Sequence, residues 1–311
     1  MTWLAQIQGQ DHPAMSQRTF TSPAEAAGEL VRAAKAHDHQ AIRGIFGPEI
    51  TNLLTGDITL DEKHFDAFAG DLAERCDAVP EGSDKVILEI GHGTWPFPIP
   101  LIRTNGAWVF DTIAGEEEVV NRHIGRDEYY AIGVCRTYVK AQREYSGRFA
   151  GGGGTPKYAK RFVSLPGKMD GLYWPAETGG KPSPLSPFVA QACLEGYNWR
   201  SGRGPRPFHG YVFKILTRQG SAAPGGKMNY IRQGGMTGGF ALVAFPVRWG
   251  VSGIMTFLVN QDGVVYQRSL GEKTAMIAAA MNEYNPDTQW TVVRETGITD
   301  LMAKAPRENA R

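Results

Sequence analysis

Phe240 to Leu270 reads FALVAFPVRWGVSGIMTFLVNQDGVVYQRSL, three apolar runs separated by the glycine-bearing segment 248–253 and by Asp262-Gly263. Short apolar runs between turn formers predict a three-stranded antiparallel meander, with Asp-Gly supplying the positive φ of a tight connection. The stretch carries no group of evident catalytic type. It is read as scaffold, and any function is expected beside it, in the aromatic loops of residues 165 to 210.

Outward from the meander, strands are expected at Tyr211 to Leu216 and at Tyr230-Ile231. An amphipathic helix closes the fold over about Thr274 to Tyr284, and a charged tail, 304–311, is expected to fray. Upstream, Tyr130, Val134, Tyr138, Ala141 and Tyr145 keep a helical period, which predicts a long helix from Arg126 to Phe149 packed on the meander. The tetraglycine 151–154 ends that helix as a loop or hinge, and no Gly-Lys-Ser/Thr follows to make it a phosphate cradle. Residues 165–206, rich in Pro and Gly and carrying Tyr173-Trp174-Pro175, read as a long ordered loop.

The first third has a different period. Residues 1–18 are polar and aperiodic, an expected flexible arm. Ser22-Pro23-Ala24-Glu25 has the form of a capping box with Pro at the first helical position, ahead of a helix to about His37. Asp38 can cap a second helix that stops at Gly47-Pro48, and Phe65, Phe68 and Leu72 mark a third from Leu60 to about Cys76. Val86, Leu88 and Ile90 then alternate, and Asn105-Gly106 joins two strands between Trp95 and Asp111. The expected class is α+β: helices on a curved antiparallel sheet over 19–113, then a long helix on an antiparallel meander over 114–303.

With 311 residues the chain has material for about two domains. Its 33 basic and 32 acidic residues leave no basic field for nucleic acid. No run reaches membrane-span length, and Met1 to Met15 has no basic start followed by an apolar core. Cys76, Cys135 and Cys193 are too dispersed for a metal motif, so no metal or cofactor is expected; whether any pair is left open.

His209 is the foremost chemical candidate. It opens a strand in Pro207-Phe208-His209-Gly210-Tyr211, and an imidazole suits general-base work, but no nucleophile elbow exists to partner it. Asp170 and Glu177, flanking Tyr173-Trp174, could form a carboxylate pair of glycosidase type. His37-Asp38-His39 could face a metal only with a distant third ligand; His92 and His123 are read as turn histidines. Glu116-Glu117-Glu118 and Asp127-Glu128 are read as acids at helix starts. Tyr173, Trp174, Tyr197 and Trp199 are either buried anchors or a recognition surface. Trp95, Phe97 and Trp108 could line a cone in the N-terminal sheet.

Several blocks resemble the domain of unknown function 2950 (DUF2950) family of bacterial envelope proteins: FTSPAEAAGELVRAA from Phe20, WPFPIP from Trp95, NRHIGRDE from Asn121, KAQREY from Lys140, GLYWP from Gly171, PFHGYVFKILT from Pro207, and Met236 to Leu270. The resemblance implies a periplasmic or secreted setting and no established activity. The N-terminal half is similar to NTF2-like and cystatin-like folds. The C-terminal half is loosely similar to the globular part of type IV pilin-like proteins, although charged Ala114 to Glu128 replaces the apolar half of a pilin helix.

The expected function is therefore a non-catalytic binding or scaffolding role in the envelope, with an envelope protein or a glycan as partner. Two alternatives stand beside it. One is a hydrolase of cell-wall glycan or peptide using His209 with an acidic partner, and the other is a carrier of a small apolar ligand in the N-terminal cone.

Overall fold

The computed structural model describes residues 17–150, 154–197 and 207–294, and these divide into two compact units between Ile124 and Gly125. Both combine helices with antiparallel sheet, an α+β architecture. Trp199, the arm before Gln17, most of the tetraglycine and the tail 304–311 lie outside the described residues.

In the first unit, helices α1 (Pro23–Lys35), α2 (His39–Phe46) and α3 (Ile58–Glu74) precede strands β1 (Cys76–Pro80), β2 (Lys85–Ile90), β3 (Trp95–Pro96), β4 (Leu101–Thr104) and β5 (Ala107–Phe110). The sheet runs β1-β2-β4-β5, with β3 also on β2. Ser22 caps α1 by accepting from Glu25 N, but the Glu25 carboxylate reaches back to N and Oγ1 of Thr21 rather than to Ser22. Losing such a cap costs about 1 kcal/mol. Asp38 caps α2 through Ala41 N, and Asp57 caps α3 through Leu60 N.

The two sheet edges are protected differently. At β5, Phe20 and Trp108 exchange backbone hydrogen bonds of 2.8 Å. At β1, Glu81 N→Lys85 O and Gly91 N→Arg75 O put residues 76, 78 and 80 in the outward-facing register, and Pro80 there removes a donor from the open edge. The core joins Leu30, Ile45, Phe46, Leu72, Leu88, Ile90 and Phe110, all fully or nearly fully buried.

Helix α4 runs Thr112–Phe149, 38 residues, and so starts fourteen residues before the expected Arg126 (126 − 112). Asp111 begins it by accepting from Ala114 N. Gly115 lets its first turn pass against the segment before β4: a Cβ there would stand 2.6 Å from Ile99 Cγ1 and 2.7 Å from Ile99 Cα. His123, expected in a turn, therefore lies within the helix, where its ring stacks on His64 at 4.3 Å. Asp127 and Glu128 likewise sit inside the helix and not at its start.

In the second unit, the rest of α4 is followed by α5 (Ala176–Gly179), α6 (Ser186–Leu194), β6 (Tyr211–Leu216), β7 (Arg218–Gln219), β8 (Met228–Asn229), β9 (Ile231–Arg232) and β10 (Gly235–Met236). The predicted meander follows as β11 (Ala241–Pro246), β12 (Met255–Asn260) and β13 (Val265–Ser269), antiparallel throughout, with Val243 opposite Leu258 and Leu258 opposite Tyr266. α7 (Thr274–Ala280), β14 (Glu283–Tyr284) and β15 (Thr291–Val292) close the chain. The expected last helix thus stops at Ala280, and Glu283-Tyr284 form a parallel strand on β7.

The large sheet runs β15-β13-β12-β11-β6. Every residue of the interior strand β11 is buried, which is why Ala241 to Pro246 is continuously apolar rather than alternating. Helix α4 packs on this sheet through Tyr138, whose ring meets Phe240 edge-on at 5.6 Å and whose hydroxyl donates to Ala241 O. Arg143 adds a hydrogen bond to Gln261 O at the turn between β12 and β13. Among the described residues no helix is long and apolar enough to cross a membrane.

Candidate functional site

Phe208-His209-Gly210-Tyr211 is a two-residue hairpin turn. Phe208 N donates to Tyr211 O at 2.8 Å and Tyr211 N returns to Phe208 O at 3.1 Å. Both central residues have positive φ, 47° at His209 and 70° at Gly210, the signature of a type I′ turn. Histidine in that region is strained, and such strain persists only where the surroundings over-determine it.

The surroundings of His209 do so on every side. Its ring lies 3.9 Å from that of Tyr130 on α4 and within 13° of parallel, with Phe208 edge-on at 4.4 Å. Its backbone N–H donates to the Tyr197 hydroxyl at 3.0 Å. Its Nε2 stands 2.6 Å from Oε2 of Glu195, just past the end of α6. The side chains are 3% and 14% exposed, so the pair is almost sealed from water. A contact this short between imidazole and carboxylate fixes the orientation of the ring.

Two further carboxylates approach the turn from α4. Asp127 is fully buried, and its Oδ2 lies 2.9 Å from where a Cβ on Gly210 would stand, so only glycine fits. Glu128 accepts from both Ile254 N and Met255 N at 2.9 Å, fastening α4 to the start of β12. Burial pushes the Glu128 carboxyl above its ordinary range, opposed by those two donors. Tyr211 donates to Met255 O at 2.9 Å, and burial, then Glu128 and Asp127, hold its phenol well above its ordinary value. Gly253 makes room for it: a Cβ there would fall 2.0 Å from the Tyr211 hydroxyl oxygen.

The structure thus joins His209 to Glu195 and not to the acids singled out in the sequence. Asp170 accepts from Leu165 N and lies 3.6 Å from Arg161, while Glu177 is exposed on α5. Tyr173, Trp174 and Tyr197 are buried in the core of the second unit. Trp174 packs edge-on against Tyr145 and Phe149 and donates from its indole to Lys181 O. These three rings are loop anchors. In the first unit Phe97 and Trp108 are buried, Phe97 against Phe46 and Phe68, and half-buried Trp95 lies under the Arg122 guanidinium at 4.7 Å.

Glu195, Asp127 and Tyr130 were not singled out as site residues, since no spacing links them to His209. Asp38 is occupied as a helix cap between His37 and His39, and among the described residues no three His, Cys, Asp or Glu side chains are grouped to hold a metal. All three cysteines are free. Cys135 is fully buried, which pushes its thiol up to about 12 and leaves it inert.

Neither the curated proteins nor the solved structures contain a match to this chain. A family model described as protein of unknown function (DUF2950) matches residues 17–293, which take in both cores, the His209 turn and the whole meander. The chain belongs to the DUF2950 family.

Proposed function

We propose that this is a non-catalytic binding or scaffolding protein of the bacterial cell envelope, periplasmic or secreted, with an envelope protein or a glycan as partner. The setting follows the family resemblance, while the NTF2-like or cystatin-like reading of the first unit and the pilin-like reading of the second rest on separate, partial resemblances. The observation that carries the non-catalytic reading is the closure of the His209–Glu195 pair: a general base must reach the proton it takes, and this imidazole is 3% exposed beneath Tyr130. Its role is that of a clasp between the turn before β6 and the end of α6. The test is a turnover screen of the full chain against wall glycans and wall peptides, with Glu195→Gln and His209→Asn as controls. No turnover is expected from any of the three. Turnover that both substitutions abolish would overturn the reading.

One observation favours a hydrolase as the second reading. Positive φ at a buried histidine and a carboxylate at 2.6 Å are features that gather at catalytic sites. In that case Glu195, rather than Asp170 or Glu177, is the acid partner of His209. The apolar-carrier reading has less support, because Phe97 and Trp108 are already packed among other core side chains. Native mass spectrometry is expected to return the bare chain mass, and a retained lipid-sized adduct would revive the carrier.

A further inference from the structure

A cleft of about 310 Å3 opens on the second unit, away from any residue of the His209 turn. Its apolar wall is Leu258 of β12, Met281 and Trp290; its polar rim is Arg218, Asn282, Glu283 and Asn285. The parallel pairing of β14 on β7 sets Glu283 opposite Arg218, and their side chains meet at 2.9 Å.

The rim is held in place from behind. Asn285 Oδ1 accepts from Ala222 N at 2.8 Å, and its amide fits only because residue 220 is glycine: a Cβ there would lie 2.4 Å from Asn285 Cγ. Asn282 donates to Ala280 O, and its Oδ1 accepts from Lys214 Nζ at 3.3 Å. Lys214 Nζ also donates to Ala279 O and Met281 O, which fixes the turn after α7. Side chains pinned in this way lose little freedom on binding, the condition for a preorganised site.

The chemistry of the lining selects its ligand. Within the lining Arg218 and Glu283 compensate each other, and the Lys214 ammonium behind Asn282 is taken up by Ala279 O and Met281 O, so the lining itself offers no excess charge to an ionic ligand. Guanidinium and amide groups donate, while carboxylate and amide oxygens accept, all around an apolar wall. A neutral molecule with one apolar face and a rim of groups that both donate and accept matches this, and a pyranose ring has that form. The volume stands near the lower end of small-molecule sites, about 300–1,000 Å3, enough for one or two rings.

We propose that this cleft binds a neutral saccharide unit. The proposal deepens the binding reading above, on which it rests, and supplies its ligand class. The test is heteronuclear NMR of the full chain titrated with N-acetylglucosamine, glucose and maltose, following the side-chain amides of Asn282 and Asn285 and the indole N–H of Trp290. At least one sugar is expected to give saturable shifts at these groups, and Arg218→Gln, an exposed rim change, is expected to weaken it about five-fold, the worth of one net hydrogen bond. The proposal is overturned by the absence of saturable shifts at the cleft, by binding that Arg218→Gln leaves unchanged, or by saturation only with a short aromatic peptide, which would make the cleft a protein-docking site. A silent cleft without turnover defeats this proposal alone. Turnover in the His209 screen defeats the non-catalytic reading whatever the cleft binds.

Discussion

Nε2 of His209 and Oε2 of Glu195 lie 2.6 Å apart, and the same histidine holds its backbone at φ 47° in the turn that starts β6. The contact and the strain oppose each other, since the backbone conformation suits Asn or Gly better than His. Glu195→Ala is expected to destabilise the second unit by about 1–3 kcal/mol, the cost of removing one partner of a buried charged hydrogen bond. His209→Asn should cost less, because it relieves the turn while losing the clasp. Urea unfolding of the single and double variants checks this, and additive costs would mean that the two side chains are not coupled.

Gly253 and Tyr211 form a second constraint. With a Cβ placed 2.0 Å from the Tyr211 hydroxyl oxygen, Gly253→Ala forces the phenol out of its bond to Met255 O. A loss of about 2–4 kcal/mol is expected, combining overpacking with a broken buried hydrogen bond. Tyr211→Phe should recover only part of it, because the ring carbon Cζ would still lie 2.6 Å from the new methyl. Thermal unfolding of the two single variants and the double variant is the measurement.

Helix α4 offers an internal comparison of glycines. Gly115→Ala is expected to destabilise by about 1–3 kcal/mol through its contact with Ile99, even though alanine is the better helix former by about 1 kcal/mol. Gly133 and Gly147 have open space where a Cβ would stand, so alanine at either should stabilise by about 0.5–1 kcal/mol. Opposite signs in denaturant midpoints are the expected result, and a stabilising Gly115→Ala would contradict the packing.

Asp61 sets a pH dependence in the first unit. It is buried and accepts from Thr55 N, Thr55 Oγ1 and Gly56 N, yet burial outweighs these donors and pushes its carboxyl up to about 6. A carboxyl raised in the folded state holds its proton there after the unfolded chain has lost it. Its contribution is therefore fully present below the unfolded value near 3.8 and is lost as pH rises to about 6. At 1.36 kcal/mol per unit the loss is about 3 kcal/mol by pH 7. Asp61→Asn should flatten this slope, as urea melts at pH 4.5 and pH 7.5 would show.

The three thiols should separate by exposure. Cys193 is exposed, Cys76 is half-buried and Cys135 is buried with its thiol pushed up to about 12. A thiol reagent at neutral pH is expected to label Cys193 rapidly, Cys76 slowly and Cys135 only after unfolding. Mass spectrometry of the labelled peptides reads out the order.

Much of the framework is legible in local sequence. The meander and its Asp262-Gly263 turn, the Ser22 and Asp38 caps and the Asn105-Gly106 hairpin each depend on residues a few positions apart, and the structure has them all. Glycine was the ambiguous signal. His123 beside Gly125 reads as a turn residue, but the helix runs through Gly125 and through Gly115, whose missing side chain serves close approach to Ile99. Asp111 was read as the end of a strand, although a side-chain acceptor three residues before Ala114 is also a helix cap.

The amino-acid order by itself determined the α+β class, the long helix, the meander and the membership of a family, because periodicity and turn chemistry act over short separations. Tertiary structure alone decided that His209 meets Glu195 rather than Asp170 or Glu177, that Asp127 is buried against Gly210, and that Tyr173, Trp174 and Tyr197 face inward. Each of these depends on where a loop carries a side chain after the sheet and α4 have packed. No periodicity encodes that path, since it is set by which backbone segments glycine allows to touch.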